Sequence, residues 1–243
     1  MQGTRQRVVE SRDYFEGSSP GLLAALSEAM HSMAQPLTVL RATLEIAAGN
    51  ASSISQYQHA IDSSLTEIAR VAETMGFIQE LVRIARDSPT PMPFEVRPVL
   101  ATVREDLECV LEHAGISLNI RVAEDVPTAL GSTTGLRQCL FYLVQHAQSV
   151  AVTGDAIAAS ASCADGEVQL AVRHLGVASD SLASSEPNST SFSAESRFMA
   201  LAEAVAAAQQ VRLQWQANPF VARLSLPAVD CLSARRQNSG HVG

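Results

Sequence analysis

Two long stretches near the start of the chain carry apolar residues at helical spacing. Leu26, Met30, Met33, Leu37, Leu40, Leu44 and Ala47 alternate steps of four and three, the seam of a helix that packs against other helices. The pattern runs from about Leu22 to Ala48 and stops at Gly49-Asn50, a good helix terminator. Ser53, with Gln56 three residues later, predicts a capping box for a second helix. Along that helix Ile54, Ile61, Leu65, Ile68, Ala72, Met75, Ile78 and Val82 make a second stripe. The two helices and their short turn predict an antiparallel hairpin over residues 20–87. One hairpin cannot cover both stripes, so two copies are expected to pair as a homodimeric four-helix bundle. Residues 1–19 are polar and aperiodic, a flexible N-terminal segment. Residues 88–94 hold three prolines and read as a stiff linker.

The periodicity then changes. Helical spacing from about Arg97 to His113 leads to a strand-like run at Ile116–Val122, and a further helix spans about Thr134–Val150. Strands follow near Ala156–Ser162 and Val168–Arg173, with a hairpin turn at Gly166. After a Ser-rich loop, Ser179–Ser193, come a helix from Ala194 to Gln209 and strands at Val211–Gln216 and Val221–Leu226, turning at Asn218-Pro219. This alternation over residues 95–228 predicts one sheet covered by one helical layer, an α/β sandwich. Residues 229–243 read as a flexible tail. The fold class is α+β multidomain.

The candidate chemistry begins at His31. It directly follows a seam position, so its imidazole points to solvent, where such a group can act as nucleophile or proton carrier. Five residues on, Pro36 removes a backbone donor and is expected to bend the helix. The run His31-Ser32-Met33-Ala34-Gln35-Pro36-Leu37 resembles the phosphoacceptor box of sensor histidine kinases, H-E-x-x-[TNQ]-P-L. It departs at Ser32, where the family carries an acidic residue that helps deprotonate the histidine. The later elements resemble that family's ATP-binding domain. The likeness is carried by Leu136-Arg137-Gln138-Cys139-Leu140 leading to Leu143 and Ala147, by Arg173 with Gly176 beyond it, and by the closing Leu226-Pro227. Hairpin, linker and sandwich keep the family's order across residues 20–228.

The ATP-site residues that the resemblance implies are largely replaced. The family's N-L-x-x-N-A run, with its magnesium-binding asparagine, reads Tyr142-Leu143-Val144-Gln145-His146-Ala147 here. Neutral imidazole is a poor stand-in for a hard oxygen ligand. The adenine-binding D-x-G-x-G reads His174-Leu175-Gly176-Val177-Ala178, which keeps one glycine and loses the carboxylate. The phosphate-contacting G-L-G-L is replaced by Ser196-Arg197-Phe198-Met199, with a large Phe198 where bare backbone is needed. The glycine pair that ends this helix in the family is Gln210-Val211. Arg173 or Arg197 is available as a compensating cation.

Composition narrows the choice. The 243 residues include no lysine; 17 arginines stand against 25 acidic groups, giving a net charge of −8. That balance argues against nucleic acid as a partner. No run of about 18 apolar residues is present, so no membrane span is expected, and the N-terminus lacks a secretory pattern. The scattered Cys109, Cys139, Cys163 and Cys231 read as reduced, mostly buried thiols of a cytoplasmic protein, and no metal site is expected. The resemblance therefore implies a soluble histidine-kinase-like phosphotransferase or pseudokinase, exchanging a phosphoryl group between His31 and the aspartate of a response-regulator receiver domain. Gln35, one turn on, is a candidate for positioning the phosphoryl group or a water. Arg41 lies about 15 Å along the helix from His31 and is out of reach. No cofactor is expected; ATP and magnesium enter only if the chain is an autophosphorylating kinase with divergent ligands. A non-enzymatic dimeric scaffold that binds a receiver or a kinase is the third reading.

Overall fold

The computed structural model describes residues 7–8, 20–50, 53–87, 90–176 and 194–229. Most of the expected N-terminal segment and tail, and the Ser179–Ser193 loop, lie outside the described residues. The chain forms two compact units, one built on residues 18–86 and the other on residues 87 onward together with the N-terminal strand.

The first unit is the expected hairpin: α1 (Pro20–Asn50) and α2 (Ile54–Arg86) pack along each other across a short turn. The Ser53–Gln56 capping box is formed. Gln56 N–H donates to Ser53 Oγ and Ser53 N–H donates to Gln56 Oε1, both at 3.3 Å. α1 continues unbroken through Pro36. The apolar stripes are used differently from the expectation. The buried residues are Ala29 and Pro36 on α1 and Ala60, Ser64, Glu67, Thr74, Phe77, Leu81 and Ile84 on α2. Leu26, Met33, Leu40 and Ala47 are half-buried, while Met30, Leu37 and Leu44 are exposed. The seam read from sequence thus covers two faces: each exposed residue lies about a quarter-turn past the face turned to α2.

The second unit is a six-stranded sheet under helices α3 (Val96–Ala114), α4 (Thr133–Val150) and α5 (Ala194–Ala208). Its strand order is β1 (Arg7–Val8), β7 (Arg212–Ala217), β8 (Phe220–Pro227), β6 (Glu167–Leu175), β5 (Ala156–Ala164), β3 (Ser117–Val122). β3 and β5 run parallel; every other neighbouring pair is antiparallel. Alternate residues of β5, β6 and β8 are buried, among them Ile157, Val168, Leu170, Val172, Phe220 and Leu224. This is the pattern of a sheet with one covered face. α4 lies between α3 and α5 and buries Leu136, Leu140, Leu143 and Ala147.

The longer elements fall within two residues of the sequence expectation. The shortest strands do not follow it. Met92–Phe94, expected as the end of the linker, is a strand, β2, pairing antiparallel with β4 (Ala129–Gly131). Arg7 and Val8, expected in the flexible segment, pair with Trp215 and Gln214. Strands of two or three residues carry no readable alternation and depend on a distant partner. The thiols also differ from expectation. Cys139 is buried, which pushes its thiol up to about 12, but Cys109 and Cys163 are exposed; Cys231 lies outside the described residues.

Three helix ends show how the layer is closed. Ser132 Oγ accepts the Gly135 N–H at 3.1 Å, capping α4. The end of the Gln209 side chain lies over Gly135, in the space a Cβ would take. α3 and α5 end in the same way: Ile116 N–H bonds to Leu111 O, and Val211 N–H bonds to Ala206 O, both at 2.9 Å. In α3 the left-handed residue is Gly115, φ 68°, but in α5 it is Gln210, φ 55°. A side chain in that conformation costs about 1 kcal/mol. Gln210→Gly is therefore expected to stabilise the α/β unit by about 1 kcal/mol. Denaturant unfolding followed by Trp215 fluorescence checks it; loss of stability would show that the Gln210 side chain makes a compensating contact.

Candidate functional site

His31 is exposed on α1. It lies two residues past Ala29, a little over half a turn round, on the side of α1 opposite the face turned to α2. Ser32, where the resemblance calls for an acid, turns its hydroxyl into its own helix, donating to Ala29 O at 2.8 Å. No general base stands at that position. Gln35 is exposed one turn further on. Pro36 is buried, and its missing N–H leaves the Ser32 carbonyl without the usual helical donor. Arg41 pairs with Glu45 at 2.7 Å, both well exposed.

The ATP-site positions fall on α4, β6 and α5. Tyr142 and His146 are both buried. The His146 ring packs edge-on against Phe220, centroids 4.6 Å apart, and lies 6.4 Å from the ring of Trp215. Trp215 in turn donates its indole N–H to Glu203 Oε1 at 2.8 Å. The Tyr142 ring meets Phe141 edge-on at 5.8 Å. Magnesium requires several hard oxygen donors and holds its waters tightly. A buried imidazole walled by two aromatic rings supplies neither donors nor room. Positions 142 and 146 thus do not offer the carboxamide oxygens that the family's pattern carries there.

His174 fares similarly. Its Nε2 is hydrogen-bonded to Asp155 Oδ2 at 2.8 Å. Asp155 is buried, and the same oxygen accepts the Val152 N–H at 2.9 Å. A carboxylate therefore does stand beside position 174, but it comes from the turn before β5 and its Oδ2 serves the protein's own donors. Gly176 is exposed just past β6. Phe198 is half-buried on α5; the side chain of Ser196 lies outside the described residues. Four residues escaped the sequence reading: Asp155, Glu203, Trp215 and Phe220. His174 and Asp155 lie nineteen positions apart, and no local motif links them or marks Phe220 as the neighbour of His146. Among the described residues, no cluster of His, Cys, Asp or Glu is arranged to hold a metal, and no helix is long and apolar enough to cross a membrane.

The chain matches no protein-family model and no curated protein. Among solved structures it is similar to the histidine kinase AdeS of Acinetobacter baumannii, with TM-score 0.53 and 14% identity over 82% of this chain and 98% of that one. It is also similar to the histidine kinase ThkA in its complex with the response regulator protein TrrA, with TM-score 0.59 and 13% identity over 85% of this chain and 63% of that one. At such identities the likeness establishes the fold: a helical hairpin followed by an α/β domain, the core of a histidine kinase.

The packing at His146 generates a direct test. ATP with magnesium at millimolar concentration is expected to leave the melting temperature unchanged, because only a ligand of the folded state raises it. His146→Asn alone should not create binding, since the Phe220 ring remains. A clear upward shift for the parent chain would show that the site opens to nucleotide.

Proposed function

We propose that this chain is a dimeric, histidine-kinase-like phosphotransferase of two-component signalling, working without nucleotide of its own. His31 exchanges a phosphoryl group with the aspartate of a receiver domain. The observation that carries this reading is the pairing of an exposed histidine, set in a phosphoacceptor-like run, with a nucleotide position filled by aromatic side chains. The histidine kinase ThkA, similar in fold, forms a complex with a response regulator, which supports a receiver as the partner here.

The chemistry asks little of this chain. A ring nitrogen of neutral His31 attacks the phosphorus of an aspartyl phosphate, and the bond from phosphorus to the carboxylate oxygen breaks. The carboxylate leaves with the bonding pair. Reversal returns the group to an aspartate. Catalysis is positioning and charge stabilisation, with magnesium supplied by the receiver. A carboxylate is a good leaving group, so the absence of a base at Ser32 is tolerable here, whereas attack on ATP would need one. Gln35 is assigned to hydrogen-bonding the phosphoryl group or orienting a water. Homodimerisation is supported by the exposed apolar rows on α1 and α2.

Incubation with a receiver carrying labelled phosphate is expected to transfer acid-labile label to this chain. His31→Ala should abolish labelling while changing stability by less than about 0.5 kcal/mol, as an exposed position does. Gln35→Ala should preserve transfer and alter only the rate of phosphate loss to water. Equal labelling of His31→Ala and the parent would refute the assignment, and no labelling of either would leave the dimeric scaffold.

A further inference from the structure

We propose that the uncovered face of the sheet is a docking surface for an acidic, extended segment of another protein, held by Arg121, Arg173 and Arg223. The inference concerns the α/β unit alone and does not depend on phosphoryl transfer at His31.

The buried residues of each strand turn toward the helices, so the alternate residues make up the opposite face. The register sets these in rows. Arg121 on β3 stands opposite Ser160 on β5, Ser160 opposite Ala171 on β6, and Ala171 opposite Arg223 on β8. In the next row Ala158 on β5 stands opposite Arg173 on β6. All three arginines are exposed, while Ala158, Ser160 and Ala171 are half-buried. With strands about 4.8 Å apart and a rise of about 3.4 Å per residue, the Cα atoms of Arg173 and Arg223 lie about 8 Å apart, and each is roughly 12 to 14 Å from that of Arg121. Only methyl and hydroxymethyl groups stand on the floor between them. The result is a shallow trough bordered by guanidinium groups.

The strands hold no acid to neutralise that border. Across β3 and β5 to β8 the single carboxylate is Glu167, and it faces Arg212 at 3.7 Å. Among the described residues no hydrogen bond or ion pair engages Arg121, Arg173 or Arg223. A face that needs only solubility mixes both signs or pairs them across neighbouring strands. Here the cross-strand neighbours of the three arginines are alanine, serine, valine and glutamine. The local charge is therefore positive in a chain whose net charge is −8.

The residue types choose the occupant. Guanidinium groups meet carboxylates in paired hydrogen bonds. Side chains on one side of an extended segment recur about every 7 Å, close to the Arg173–Arg223 spacing. A nucleic-acid strand would stack its bases on aromatic rings. The two aromatic residues of these strands, Trp215 and Phe220, are turned the other way, toward His146 on α4.

The test is binding of a fluorescein-labelled peptide of alternating glutamate and serine to the full chain, read by anisotropy. Binding is expected at low salt and should weaken steeply as ionic strength passes about 0.1 M. Arg173→Gln with Arg223→Gln should weaken it about tenfold and leave the Trp215 unfolding transition in place; Arg121→Gln alone should weaken it about threefold. Arg97→Gln with Arg104→Gln removes the same charge from exposed positions of α3 and should change binding by less than about twofold. The proposal is overturned if the peptide does not bind at low salt, or if the α3 variant loses as much as the sheet variant. It is also overturned if an oligothymidylate binds more tightly than the peptide and is held by the same arginines. Should the double sheet variant fail to fold, Arg121→Gln, across the trough, decides alone.

Discussion

An antiparallel pair of helices can turn only one face of each helix toward the other, and this chain gives each helix two faces to bury. Ala29 and Pro36 meet the inner side of α2, while Met30, Leu37 and Leu44 are left outside with Ile61, Ile68 and Met75. The position of His31 follows from the same rotation. Two residues past Ala29, it belongs neither to the inner seam nor to the apolar flank. His31 is accordingly exposed while the hairpin is folded.

The α/β unit shows a different economy. The residues that depart from the family's ATP-site pattern also pack the unit. His146 stacks edge-on against Phe220, Trp215 is anchored by Glu203, and His174 is fastened to the buried Asp155. Residues in a working nucleotide site must leave polar groups open for the ligand, at a cost in stability. Here His146 packs against Phe220 and His174 is bonded to Asp155. The histidine-kinase-like fold is retained with these positions packed by the unit's own side chains.

The sequence made the long elements legible because their signals are local. Heptad spacing, the Ser53–Gln56 box, and the turns at Gly166 and Asn218-Pro219 each occupy a few neighbouring residues. Three short strands were not legible, since β1, β2 and β4 exist only through pairing with distant residues. The apolar stripes were found, but spacing alone does not say which row meets the partner helix and which is left exposed; the rotation between Ala29 and Met30 appears only once the hairpin is built. At the site, the histidine replacements at 146 and 174 were visible as departures from a pattern. Their neighbours Phe220 and Asp155 were not, because sheet topology, not sequence proximity, brings them there.

The central claim is that His31 gains phosphoryl from an acyl phosphate and not from nucleotide. Phosphorus NMR of the full chain tests it most directly, with two additions made to parallel samples. A phosphorylated receiver should produce a phosphohistidine resonance that is absent from His31→Ala, and ATP with magnesium should produce none. A phosphohistidine signal from ATP alone would contradict the account.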